Sequence, residues 1–225
     1  MENHKKELSL IEDYHKRTKP QFENIEKETD EYTNSLYNNY PAAEYTDGGY
    51  VAEWAIDKGI EMYEVLSTMK SNHLLMTISM LYHIWEQQLI RFTIHKLQHY
   101  LEFDKRTVGY EDVQRIFELH GVNITDTKSW GKIRELKLLV NTIKHGDGSS
   151  AERLRKLRPD FFKVDTIKTD ILELHDAVLL DSYSLQVKEN DLYDYVKATK
   201  NFWDEMPERV YSDAEAITSA IEKKK

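Results

Sequence analysis

The chain has no cysteine, and its 225 residues include only four prolines and eight glycines. Without cysteine there is no disulfide, no thiolate zinc site and no cysteine nucleophile. Scarce Gly and Pro beside abundant Glu, Lys and Leu predict helices joined by few loops. The opening MENHKKELSLIEDYHK lacks the apolar centre of a signal peptide. The most apolar run, LLMTISMLYHIW at 74–85, is too short to span a bilayer and leads directly into Glu86. No phosphate loop, nucleotide-binding glycine fingerprint or serine-nucleophile elbow occurs. The expectation is a soluble, cytoplasmic protein that needs no membrane, metal or cofactor.

What is present favours a sizeable core. Hydrophobic residues make up 40% of the chain, and 14 Tyr, 4 Trp and 7 Phe supply much of the burial. The net charge of −9 excludes a protein that binds polyanions over its whole surface, so any nucleic-acid contact needs a local basic patch.

Residues 5–17 and 20–39 read as two polar, amphipathic helices, with Pro20 opening the second. Pro41 and TDGG at 46–49 break the chain. A helix is predicted over 50–70, then the most apolar and central one over 72–101. Further helices are expected over 110–120 and 130–145, the latter capped by Ser129 or Thr127 and closed by Gly146. SAERLRKLR forms a short helix halted by Pro159, and helices over 166–181 and 189–206 follow. The fold class is all-α, a helical bundle. It divides into a helical extension over 1–45, a helical domain over 46–206 and a polar tail over 207–225.

The stretch LLVNTIKHGDG, 138–148, carries the clearest chemical pattern. At about 100° per residue, Ile133, Leu136, Leu139, Val140 and Ile143 share a core face. Arg134, Asn141 and His145 fall opposite, flanked by Lys137 and Lys144, and the spacing of Asn141 and His145 makes them neighbours. A solvated face with a histidine at a helix C-terminus has this same pattern. Leu138, however, lies amid the polar stripe, as though another surface covers it. HGDGSS also sets backbone amides and Asp147 just beyond the histidine, in a loop able to approach a phosphate.

Arg153, Arg155, Lys156 and Arg158 follow, and read either as a solvated face or as a local positive patch. His95 and His99 have metal-ligand spacing but no accompanying ligands, which favours packing or surface roles. His83, Glu86 and Arg91 require partners if their helix is buried. Glu86 has a functional alternative beside His145, holding its tautomer.

Together, LYHIWEQQL, a short helix and then W-x2-I-x-E-L-x4-N-x3-H resemble the HEPN superfamily of small all-α domains. The resemblance implies a helical bundle, commonly a homodimer, in which two copies of the motif form a metal-independent ribonuclease site. Many such proteins act in bacterial toxin–antitoxin and phage-defence systems, and others have lost catalysis. Asn141 and His145 match the motif, Glu86 matches a supporting acidic position, and Val140 stands where the family has arginine.

For the RNA cleavage that the resemblance implies, His145 is expected to serve as base or acid, with a pair across a two-fold axis dividing the two roles. Asn141 orients the phosphate or ribose. The missing cation is then expected from Lys144, Arg134, or the cluster of Arg153, Arg155, Lys156 and Arg158, with Asp147 in the adjoining loop. Two functions follow: a defence or stress protein that cuts or binds RNA, and a non-catalytic dimeric module that binds a nucleotide or a partner protein.

Overall fold

The computed structural model describes residues 1–41, 46–99, 102–163, 169–176, 184–207, 215 and 217. Among them the fold is an all-α helical bundle with no strand, only a single bridge between Lys163 and Asp170. The helices are α1 (Glu2–Thr18), α2 (Ile25–Asn38), α3 (Gly48–Leu97), α4 (Tyr110–Leu119), α5 (Trp130–His145), α6 (Ser149–Leu157), α7 (Ile171–His175) and α8 (Glu189–Glu205). None of them is long and apolar enough to cross a membrane.

The 50 residues of α3 organise the molecule. At 1.5 Å per residue it spans about 75 Å. Asp47 caps its start, accepting from the Gly49 N–H at 2.9 Å. The sequence predicts two helices here, over 50–70 and 72–101, because Lys70, Ser71 and Asn72 interrupt the apolar pattern. Neither Gly nor Pro breaks the backbone at that point, and Asn72 Nδ2 bonds back to the Thr68 carbonyl at 2.8 Å, so one helix continues through. Tyr100 and Leu101, the end of the predicted span, lie outside the described residues.

The two halves of α3 have different surroundings. In the C-terminal half Ile78, Leu81, Trp85 and Leu89 are fully buried, at the centre of the core. Around it pack α1, α4, α5 and α8. The N-terminal half pairs with α2, the Tyr40 and Trp54 rings meeting edge to face at 5.3 Å. At Gly59 the two helices come so close that a Cβ would lie 2.1 Å from Thr33 Oγ1. This two-helix unit forms an arm beside the body.

Other predicted boundaries also move. Pro20 opens a 3-10 turn, Lys19–Phe22, and α2 starts only at Ile25 after Asn24. The first helix is no appendage to the core, since its Leu8 and Ile11 lie inside it. Of the helix expected over 166–181, the described part is α7, capped by the Asp170 side chain on the Glu173 N–H and closed by Asp176 at φ 59°. Residues 164–168 and 177–183 lie outside the described residues, as does most of the tail over 207–225. Within that tail Ile217 is buried.

Candidate functional site

Helix α5 ends where the sequence places its ends, but its start is capped differently. The Ser129 side chain makes no cap bond, and Thr127 Oγ1 donates to the Ile124 carbonyl instead. The Glu205 carboxylate, at the end of α8, accepts from the backbone N–H groups of Lys128 and Ser129. A carboxylate is favoured there because the helix dipole presents positive charge at its N-terminus. At the other end Gly146 adopts φ 72° and ψ −148°, a conformation open essentially to glycine alone, and its N–H closes on the Thr142 carbonyl at 2.9 Å.

That turn sends α6 back over α5. Its consequence is that α5 is buried on more than the one predicted face. Leu138 and Thr142 are both buried, and Leu138 shares the core with Ala151 and Leu154 of α6. The surface that covers Leu138 thus belongs to this same chain. Val140 is buried too, at the position where the resemblance expects arginine.

The residues singled out on α5 stay available. Arg134, Lys144 and His145 are exposed and Asn141 is half-buried. None of the four side chains makes a hydrogen bond or ion pair with another described residue. Lys144 and His145 occupy the last turn, where the helix dipole favours cations.

The remaining predicted phosphate contacts divide into two groups. Arg153 is exposed and has no partner among the described residues. Arg155, by contrast, chelates Asp147 at 2.6 and 2.9 Å and reaches Asp170 at 2.6 Å, with its guanidinium over the Phe162 ring. Its hydrogen bonds to Asp147 push its pKa up, and the same contact holds the Asp147 carboxyl below its ordinary range. Asp147 also donates its N–H to the Asp176 carbonyl at 2.9 Å, so the HGDG loop is tied to the end of α7.

Arg158 is engaged just as fully. It bonds Glu135 at 2.8 Å, Asp160 at 2.7 Å and Asp191 at 2.8 Å, and it covers the Phe161 ring. Burial works against its charge, but those three carboxylates outweigh burial and raise its pKa. Arg155 and Arg158 therefore hold α6 to its surroundings and are not poised for a phosphate.

Glu86 has a different neighbourhood from the expected one. It accepts from Tyr82 Oη at 2.9 Å and lies 4.0 Å from His83 Nδ1. Its charge acts on Lys137, which sits 4.2 Å above the Tyr110 ring. Burial lowers the Lys137 pKa, and Glu86 and Glu111 draw it partly back. Lys137 is two turns before His145, about 12 Å along the helix, so Glu86 does not orient the imidazole. The buried Tyr110 Oη and Trp85 Nε1 have no hydrogen-bond partner among the described residues.

Residues 130–158 carry eight Lys and Arg against three Asp and Glu, in a chain of net charge −9. Chemically, α5 presents two cations, an amide and an imidazole whose side chains have no partner among the described residues. That set can bind a phosphate backbone, whereas within one chain it lacks the second acid or base that cleavage requires. Comparison with protein-family models, with curated proteins and with solved structures finds no match to this chain.

Proposed function

We propose that the chain binds RNA through the exposed stripe of α5, as a HEPN-like protein of defence or stress responses whose single chain binds without cutting. The observation that carries this reading is the division of the cations. Among the described residues Arg134 and Lys144 have no partner and share the stripe with Asn141 and His145, while Arg155 and Arg158 are closed in ion pairs. Free surface cations neutralise phosphates and release counterions, which gives binding with a steep salt dependence. The buried Val140 argues against efficient cleavage, since no guanidinium stands at that place to stabilise a phosphorane.

A second reading, a dimeric ribonuclease, draws on the exposure of His145: two such side chains are free to meet across a two-fold axis. One experiment separates the two. An end-labelled mixed RNA pool is titrated in EDTA with wild type, with Arg134→Ala/Lys144→Ala and with His145→Ala. Binding weakened in the double variant, with no RNA cut, supports the binder. Cleavage by wild type that His145→Ala abolishes establishes the nuclease. Absence of RNA binding even at low salt rejects both.

A further inference from the structure

One span of the chain combines many acidic side chains with few basic ones. Residues 23–73 contain eleven Asp and Glu and three Lys, a net charge of −8. This span builds the arm of α2 and the N-terminal half of α3, with Glu44 outside the described residues. The arm also exposes apolar surface. Ile56, Ile60 and Tyr63 are 54%, 53% and 43% exposed, and large apolar side chains grouped on a surface in this way mark an interaction site.

Their order is informative. Steps of four and three residues along α3 form a single stripe, the spacing of a coiled-coil seam or of the anchors by which one helix recognises another. The side of α3 turned to α2 is another one, made by Val51, Ala55 and Gly59. Asp57 and Glu64, both exposed, follow the seam residues Ile56 and Tyr63 directly and so line one edge of it. The stripe is thus apolar along its middle and acidic along its flank.

We propose that this stripe docks a basic amphipathic helix of another protein. Its apolar residues cover Ile56, Ile60 and Tyr63, and its Lys or Arg side chains pair with Asp57 and Glu64. A second copy of the same helix fits poorly. Run antiparallel, two copies set Asp57 and Glu64 of one against those of the other. Run parallel, they set Asp57 against Ala52 and Glu64 against Gly59, which supply no opposite charge. A polyanion or an anionic lipid surface is repelled by the same carboxylates.

The test uses the full chain and a labelled helical peptide of Leu and Lys arranged as one apolar stripe with basic flanks. A scrambled peptide of the same composition is the control. The expected result is saturable binding about tenfold tighter than the scrambled peptide, lost about tenfold in Ile56→Ser/Ile60→Ser and in Asp57→Asn/Glu64→Gln, a difference of about 1.4 kcal/mol. All four positions are exposed, and unchanged thermal melts of the variants exclude misfolding. Arg134→Ala/Lys144→Ala leaves this binding intact, which keeps the result independent of the RNA reading. Equal binding of the scrambled peptide, or no effect of either double variant, overturns the proposal. A concentration-dependent dimer that Ile56→Ser/Ile60→Ser dissolves also overturns it, in favour of self-association.

Discussion

The Arg155 guanidinium clasps the Asp147 carboxylate end on, Nη1 to Oδ1 at 2.6 Å and Nη2 to Oδ2 at 2.9 Å, while its Nε turns to Asp170 Oδ2 at 2.6 Å. One side chain of α6 therefore holds both the turn after α5 and the start of α7. The three side chains are 23%, 17% and 15% exposed, so water screens the clasp only in part. Paired geometry of this kind gives the stronger class of charge-assisted hydrogen bonds.

Arg155→Ala leaves two carboxylates facing each other without a cation. The expected cost is about 2 kcal/mol of stability, read from urea unfolding, because partly buried charges lose their compensation. RNA affinity changes little in this variant, and its salt slope stays the same. Arg134→Ala and Lys144→Ala behave oppositely: their stability holds, and each lowers the slope of log K against log salt by about 0.7 for the phosphate contact removed. A slope that falls in Arg155→Ala and not in the other two would reverse the assignment of the free cations.

At Gly59 the steric effect should override helix propensity. Alanine is better than glycine inside a helix by about 1 kcal/mol. Here, however, its Cβ would stand 2.1 Å from Thr33 Oγ1 and 3.3 Å from Thr33 Cβ. Rotating the threonine relieves only the first contact and breaks the bond from Oγ1 to the Thr29 carbonyl at 2.9 Å. Gly59→Ala is expected to lower stability by about 1–3 kcal/mol through overpacking. Adding Thr33→Ala recovers most of the loss. A single variant more stable than wild type would show that α2 does not press on α3 at this point.

The packing that the sequence reveals is the part governed by local pattern. Both ends of α5 are legible, because Ser129 and Gly146 mark them, and the burial of the 74–89 stretch follows from its apolar residues. Lys70–Asn72 misleads because polarity interrupts the pattern without breaking the backbone, and an arm needs no core beneath it. Periodicity assigns one buried face to α5, while α6 covers a second, which explains Leu138 and Thr142. Arg155 and Arg158 look like a free patch because three of their five partners, Asp170, Glu135 and Asp191, are distant in sequence. Such pairings carry no signal in spacing. Charge segregation does, and simple counting over 23–73 and 130–158 exposes it.

The start of α8 carries the clearest pH dependence. Glu189 accepts from Lys19 at 2.8 Å and Tyr193 at 2.7 Å and lies 3.1 Å from His15 Nε2. The Lys19 contact leads in pulling its pKa from 4.5 to about 2, against burial. A carboxyl with a depressed folded pKa adds stability that is full above about pH 4.5 and is lost as pH falls toward 2. His73, stacked on His15 at 5.4 Å, has its pKa lowered by burial and by that neighbour, so its share is lost over a higher window, below 6.5. Unfolding midpoints of Glu189→Gln should differ most from wild type above pH 4.5 and converge in stronger acid, while the decline below 6.5 stays in both. A constant difference across the acid range would remove Glu189 as its source.

Gln88 joins three helices from inside the core, where it is 4% exposed. Its Oε1 accepts from Trp203 Nε1 at 3.1 Å on α8. Its Nε2 donates to the His4 carbonyl at 3.1 Å and to Glu7 Oε2 at 2.8 Å, both on α1. The His4 ring lies on the Trp203 indole at 4.3 Å, so the same residues also pack. Gln88→Leu keeps nearly the same volume but strands the Trp203 N–H, whose residue is 1% exposed. A buried donor left without an acceptor costs about 1–3 kcal/mol, whereas loss of an exposed bond costs almost nothing. The variant should therefore lose stability on that scale, with the extra hydrogen exchange concentrated in α1, the helix that gives up two bonds. Gln88→Glu separates polarity from shape: it still accepts from Trp203 but sets a carboxylate against Glu7, and Glu7→Gln in the same chain should recover part of the loss. Exchange that rises equally in all helices would mean that Gln88 sustains the whole core and does not dock α1 in particular.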